Sequence, residues 1–86
     1  MTPDEKIRRA NEALQLTQNP LLREAFDRIE RDAIEAMLSV RDDVVDADRL
    51  HRAAADRVRT IRDVRAALAS VISEGQQAGR RGPAIA

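Results

Sequence analysis

The stretch Leu16-Thr17-Gln18-Asn19-Pro20-Leu21-Leu22-Arg23-Glu24-Ala25-Phe26 decides how the chain is organised. Good helix-forming sequence stands on both sides of it, yet Asn19-Pro20 interrupts the pattern. Asn is a preferred N-cap because its short side-chain carbonyl reaches the free amides of the next turn. Pro20 suits the first helical position, where its missing N–H would have no partner, and it pushes Asn19 out of the α region. The spacing predicts one helix ending near Thr17 and a second starting at Pro20, with almost no linker between them.

Upstream, Thr2-Pro3-Asp4-Glu5 supplies a hydroxyl cap, a proline at the first helical position and an acid that complements the free amides. A first helix over about residues 3–17 follows, with Ile7, Ala10 and Leu14 on one narrow apolar stripe. Downstream, Leu22, Ala25, Phe26, Ile29, Ala33, Met37 and Val40 share a face, widened by Ile34 and Leu38, and predict a second helix over about 20–39. Glu24 with Arg28, Asp27 with Arg31 and Arg31 with Glu35 stand at the spacing of surface ion pairs on its exposed side. Ser39 to Asp46 breaks the pattern with acids and β-branched residues, so either Asp43 or Asp46 is expected to cap a third helix. That helix is expected over about 46–74, with Leu50, Ala54, Val58, Ile61, Val64, Leu68, Val71 and Ile72 inward. Gly75 is expected to end it as a left-handed C-terminal residue.

Two long helices joined by a short connection imply an all-α antiparallel helical hairpin, here preceded by a short N-terminal helix. The expected division is a single helical domain over residues 1–75 and a flexible tail over 76–86, where "GQQAGRRGPAIA" combines glycine, proline and no periodicity. The third helix is longer than the second, which leaves Leu68, Val71 and Ile72 short of cover. Helix one either folds back over them or, together with them, meets another subunit. Ile7, Leu14, Leu68, Val71 and Ile72 are therefore the candidate partner-interface residues. Phe26, the one aromatic residue, is expected at the centre of the core.

Size and composition point the same way. In 86 residues there is room for one core, and of the hydrophobic 43% fifteen residues are alanine, while tryptophan and tyrosine are absent. A small chain already buries a low fraction of its surface, and this one has little bulk to bury. A homo-oligomer, or a complex with other protein subunits, is the expected state. Fifteen basic and fifteen acidic residues balance, so no global field argues for nucleic acid or an anionic membrane. Without cysteine there is neither a disulfide framework nor a thiolate metal site. No apolar run is long enough for a membrane span or a signal peptide, and a cytoplasmic location is expected.

The sequence groups no catalytic constellation. His51 is the single imidazole and has no second metal ligand at a suitable spacing. Ser39, Thr60, Ser70 and Ser73 lack a base that would activate them. Asp42, Asp43, Asp46 and Asp48 lack the glycine and terminal glutamate of a calcium loop and read as capping and solvated acids. The glycines stand only at positions 75, 79 and 82, so no phosphate-cradling loop exists. An enzyme, a cofactor, a metal and a small-molecule substrate are all unexpected. Arg49, Arg52, Arg59 and Arg62, with Arg80 and Arg81 of the tail, offer phosphate contacts. Asp56 and Asp63 are interleaved with them, and no exposed aromatic residue is available to stack bases. Ala53, Ala54, Ala55, Ala66, Ala67 and Ala69 permit close helix approach, and serve equally as plain helix formers.

The run "NPLLREAFDRIERDAIEAML", the acidic break after it and the long segment ending "LASVISEG" resemble short all-helical proteins encoded in structural-gene clusters of tailed bacteriophages and prophages. Asn19-Pro20, Ala25-Phe26, Ile29, Leu50, Leu68 and Gly75 carry the resemblance, which covers about residues 19–75. It implies a small virion or assembly component that contacts other phage proteins, located in the phage particle, with no functional residues to carry over. The leading expectation is a non-enzymatic helical interaction or assembly protein. The alternative is a nucleic-acid-associated regulator or packaging accessory using Arg80 and Arg81.

Overall fold

A computed structural model describes residues 1–81, for Arg81 the backbone alone. It is all-helical over those residues: α1 (Pro3–Gln18), α2 (Pro20–Ser39) and α3 (Ala47–Arg81). Each start reflects local chemistry. The Thr2 hydroxyl accepts the Glu5 N–H at 3.2 Å, and Pro3 follows it as the first helical residue. The Asn19 Oδ1 accepts the Leu21 and Leu22 N–H groups at 2.9 and 3.0 Å, satisfying two donors that an uncapped helix would leave free. Asn19 also closes α1, donating its own N–H to the Leu16 carbonyl at 3.2 Å. One extended residue thus ends one helix and begins the next.

The connection from α2 to α3 ends at Asp46, which has a positive φ of 64°. That left-handed conformation is one a short polar side chain tolerates. Asp46 directly precedes α3, and its carbonyl accepts the Leu50 N–H at 3.0 Å. Its carboxylate is engaged by Arg49 at 3.3 Å. His51 reaches back to the same connection, its Nε2 lying 3.1 Å from the Val40 carbonyl. Since a carbonyl can only accept, the imidazole donates there. The single histidine is a partly buried strut between the end of α2 and the first turns of α3.

α3 does not stop at Gly75. It runs through that glycine to Arg81, so the first part of the expected tail is helix, while residues 82–86 lie outside the described residues. The reason is the helix opposite. Gly75 is buried against α1, and a Cβ placed on it would overlap the Ala10 Cβ, lie 2.8 Å from the Lys6 carbonyl oxygen and 3.4 Å from the Ala10 Cα. Glycine is present here for close helix approach, in a helical conformation, and not as a left-handed terminator.

α3 packs along both other helices, whereas α1 and α2 touch each other little. The contacts fall in a definite order. Val40 meets His51, Glu30 meets Arg62 and Arg65, and Asp27 meets Arg65. Thr17 and Leu16 line a hollow with Leu68, and Ala10 and Lys6 meet Gly75. Helix one therefore lies against the late part of α3. The result is a rod of 68 × 23 × 15 Å with a radius of gyration of 18.6 Å, against about 12 Å for a compact globule of this length.

The seam of the rod is made mostly of alanine. Ala10, Ala13, Ala33, Ala47, Ala54, Val58 and Ile61 are the buried apolar residues, and no large side chain is fully buried. Several residues expected inward are instead exposed, namely Ala25, Ile29, Leu38, Leu50 and Val64. Phe26 is half-buried at the edge of the seam. A rod one helix pair thick has a single internal line of contact, and apolar residues flanking that line have nothing to cover them.

Candidate interaction surface

The helix pair α2–α3 has two unlike flanks. On the first, Glu30 accepts from Arg62 and Arg65, each at 3.2 Å, and Asp27 accepts from Arg65 at 2.6 Å. The Arg65 guanidinium also lies over the Phe26 ring, 5.7 Å from its centroid, a cation–π geometry. Four charged side chains from two helices are thereby tied into one network. The expected pair of Asp27 with Arg31 does not form, because Asp27 is drawn across the seam to Arg65. Arg62, a candidate phosphate contact, is likewise taken up by Glu30.

The second flank follows from the helical advance of about 100° per residue. Measured from buried Ala33 of α2, Glu30 and Asp27 lie to one side, and Ile29, Ala36, Ala25 and Asp32 lie within about 100° to the other. Measured from buried Ala54 of α3, Arg62 and Arg65 lie to one side, and Leu50, Arg57 and Val64 lie within about 80° to the other. Because the charged sides of the two helices are bonded to each other, their opposite sides form one continuous flank. Ile29, Leu50 and Val64 stand on it, 45%, 41% and 39% exposed, with Leu50 about 21 Å along α3 from Val64. Glu30 bonds to Arg62 and Arg65, so Ile29 and Val64 lie at the same level of the rod. Asp32 and Arg57 share this flank, and neither takes part in an ion pair among the described residues.

The residues singled out as partner candidates sit mostly at the other end of the rod. Ile7, Leu14 and Ile72 surround a shallow hollow with Ala10, Asn11 and Gly75, so α1 and α3 place them against one another. Leu68 lies with Leu16, Leu22 and Phe26 in a second hollow beneath the Asn19-Pro20 corner. Ile7, Leu68, Val71 and Ile72 are half-buried, and Leu14 is exposed. Arg80 is exposed near the end of α3, and the Arg81 side chain lies outside the described residues. Sequence reading missed the Ile29–Leu50–Val64 flank because periodicity marks a residue as apolar without saying whether another helix covers it.

Among the described residues, no group of three or more histidine, aspartate or glutamate side chains is placed to hold a metal ion. No buried side-chain oxygen or nitrogen lacks a hydrogen-bond partner there. The Ser39 and Thr60 hydroxyls donate to carbonyls of their own helices, from Ala36 and Asp56, the usual engagement of such groups within helices. No described helix is long and apolar enough to cross a membrane. No family model matches the chain, and no curated protein or solved structure matches it.

Proposed function

We propose that this chain is a non-enzymatic helical interaction and assembly protein acting through protein–protein contacts. The observation that carries the reading is the inversion of size along the rod. Five of the seven buried apolar residues are alanine, with Val58 and Ile61 the largest, while Leu14, Ile29, Leu38, Leu50 and Val64 remain exposed. Its accessible surface of 6903 Å² exceeds the about 5,100 Å² expected of a compact monomer of this mass. Bulk that is left outside is available to a partner.

In this proposal α2 and α3 are the antiparallel arms of a hairpin and α1 continues the first arm along the end of α3. The descending order of the pairings, from Val40 with His51 to Lys6 with Gly75, supports that arrangement. The resemblance to products of tailed-phage structural-gene clusters extends the proposal to a role as a small virion structural component.

The test is a photo-crosslinking amino acid placed at Ile29 or Val64, with exposed Arg52 as the control site, in the cells that make the protein. A discrete protein adduct from positions 29 and 64, absent from position 52, supports the reading. Equal or absent adducts from all three positions overturn it.

A further inference from the structure

We infer that the Ile29–Leu50–Val64 flank is covered by a second copy of this chain, related to the first by a two-fold axis running along the rod. The inference rests on the interaction-protein reading and adds the partner and the face. Three features of the flank select a second copy.

The first is self-complementarity. A two-fold axis along the rod leaves every residue at its own level and places α2 of one copy beside α3 of the other. Ile29 and Val64 are on a common level, so each Ile29 meets the other copy's Val64, twice over, as an isologous contact requires. An axis across the rod would not bring these two positions together.

The second is charge. Asp32 projects from the same side of α2 as Ile29, and Arg57 from the same side of α3 as Val64. Neither takes part in an ion pair among the described residues. By the register of the ion pairs, Asp32 is level with a point about four residues beyond Arg57, an offset of about 6 Å along the axis. Side by side, α2 of one copy and α3 of the other bring each Asp32 within an arginine's reach of the opposite Arg57. Two ion pairs form, one on each side of the axis.

The third is the amount of surface. A rod of two helices in cross-section, with a radius of gyration about half as large again as a globule of its length, leaves apolar side chains of both helices outside its internal seam, Ile29 and Val64 among them. Joining two such rods along the Ile29–Val64 side makes a four-helix cross-section, the arrangement in which helix pairs of this kind enclose a core. The opposite flank, carrying Asp27, Glu30, Arg62 and Arg65, stays in water.

The experiment is sedimentation equilibrium of the full chain at micromolar concentration, with charge-swap variants on exposed, unpaired positions. Wild type is expected at twice the 9.6 kDa chain mass. Asp32→Arg sets arginine against arginine at both contacts, and Arg57→Asp sets aspartate against aspartate. Each variant alone is expected to associate at least about tenfold more weakly, with its helix content by circular dichroism unchanged. An equimolar mixture of the two restores both attractive contacts and is expected to return to the double mass as a heterodimer. A wild-type monomer overturns the second-copy inference, while the crosslinking experiment judges the interaction reading separately. A wild-type dimer whose mass is indifferent to either swap overturns this face as its seat. A mixture that fails to recover overturns the two-fold arrangement.

Discussion

Gly75 of α3 lies so close to Ala10 of α1 that no side chain fits between them: an added Cβ would overlap the Ala10 Cβ and stand 2.8 Å from the Lys6 carbonyl oxygen. Backbone cannot yield as a flexible side chain would. In an open helix, Gly to Ala is worth about 1 kcal/mol in favour of alanine. Here Gly75→Ala is expected to destabilise by about 1–3 kcal/mol, the cost of overpacking a tight site. Urea denaturation followed by circular dichroism measures it, and an unchanged or raised midpoint would contradict the close approach.

Gly79 provides the matched control. It lies one turn further along the same helix, and nothing stands within 4 Å of where its Cβ would be. Gly79→Ala is therefore expected to stabilise by about 0.5–1 kcal/mol through helix propensity alone. The two substitutions have opposite signs in one helix, which the same denaturation series reads directly.

The Glu30–Arg65 pair, at 3.2 Å with Glu30 only 18% exposed, is expected to show a measurable coupling. A double-mutant cycle with Glu30→Gln and Arg65→Met should give about 0.5–1 kcal/mol, near the upper end for partly exposed pairs. Raising the salt from physiological to about 1 M should reduce it, since screening then acts over about 3 Å. A coupling indistinguishable from zero at low salt would mean that the network does not hold α2 to α3.

Asn19 caps α2 with two hydrogen bonds to its side-chain oxygen. Asn19→Ala is expected to cost about 1 kcal/mol. Replacing both Asn19 and Pro20 with alanine should favour a continuous α1–α2 helix, draw α1 away from Gly75 and lower the thermal midpoint by more than Asn19→Ala alone. Hydrogen exchange at α1 amides reports the undocking. Unaltered protection in the double variant would show that the corner does not set the position of α1.

Phe26, half-buried between Leu22, Leu68 and the Arg65 guanidinium, should lose less on truncation than a central core aromatic. A fully buried Phe→Ala costs about 3–5 kcal/mol, and about 1–3 is expected here. Calorimetry of Phe26→Ala decides whether the residue is at the edge or the centre.

The helix starts were legible because capping is local: Thr2 with Pro3 and Asn19 with Pro20 carry their meaning within four residues, and α1 and α2 begin where those signals place them. Gly75 was not legible, because its role depends on Ala10, a residue at the other end of the chain. Asp27 shows the same limit. Arg31, four residues on, is the partner that sequence suggests, and Arg65 on another helix is the partner it takes. Ile29 and Val64 were correctly read as apolar and misread as covered, since a two-helix cross-section has fewer inward positions than an apolar stripe has residues. The candidate surface consists largely of residues misplaced by that argument.

The alanine seam makes the molecule intolerant in one direction only. Ala10, Ala13, Ala33 and Ala54 cannot be made appreciably smaller, so chance substitution at these positions nearly always adds volume between α3 and its neighbours. A leucine core errs both ways, into voids and into clashes, and relaxes around either. This seam works instead as a fixed gauge of helix separation. Any widening would be transmitted along the length of the rod and would alter the spacing at which Ile29 and Val64 are presented to whatever meets them.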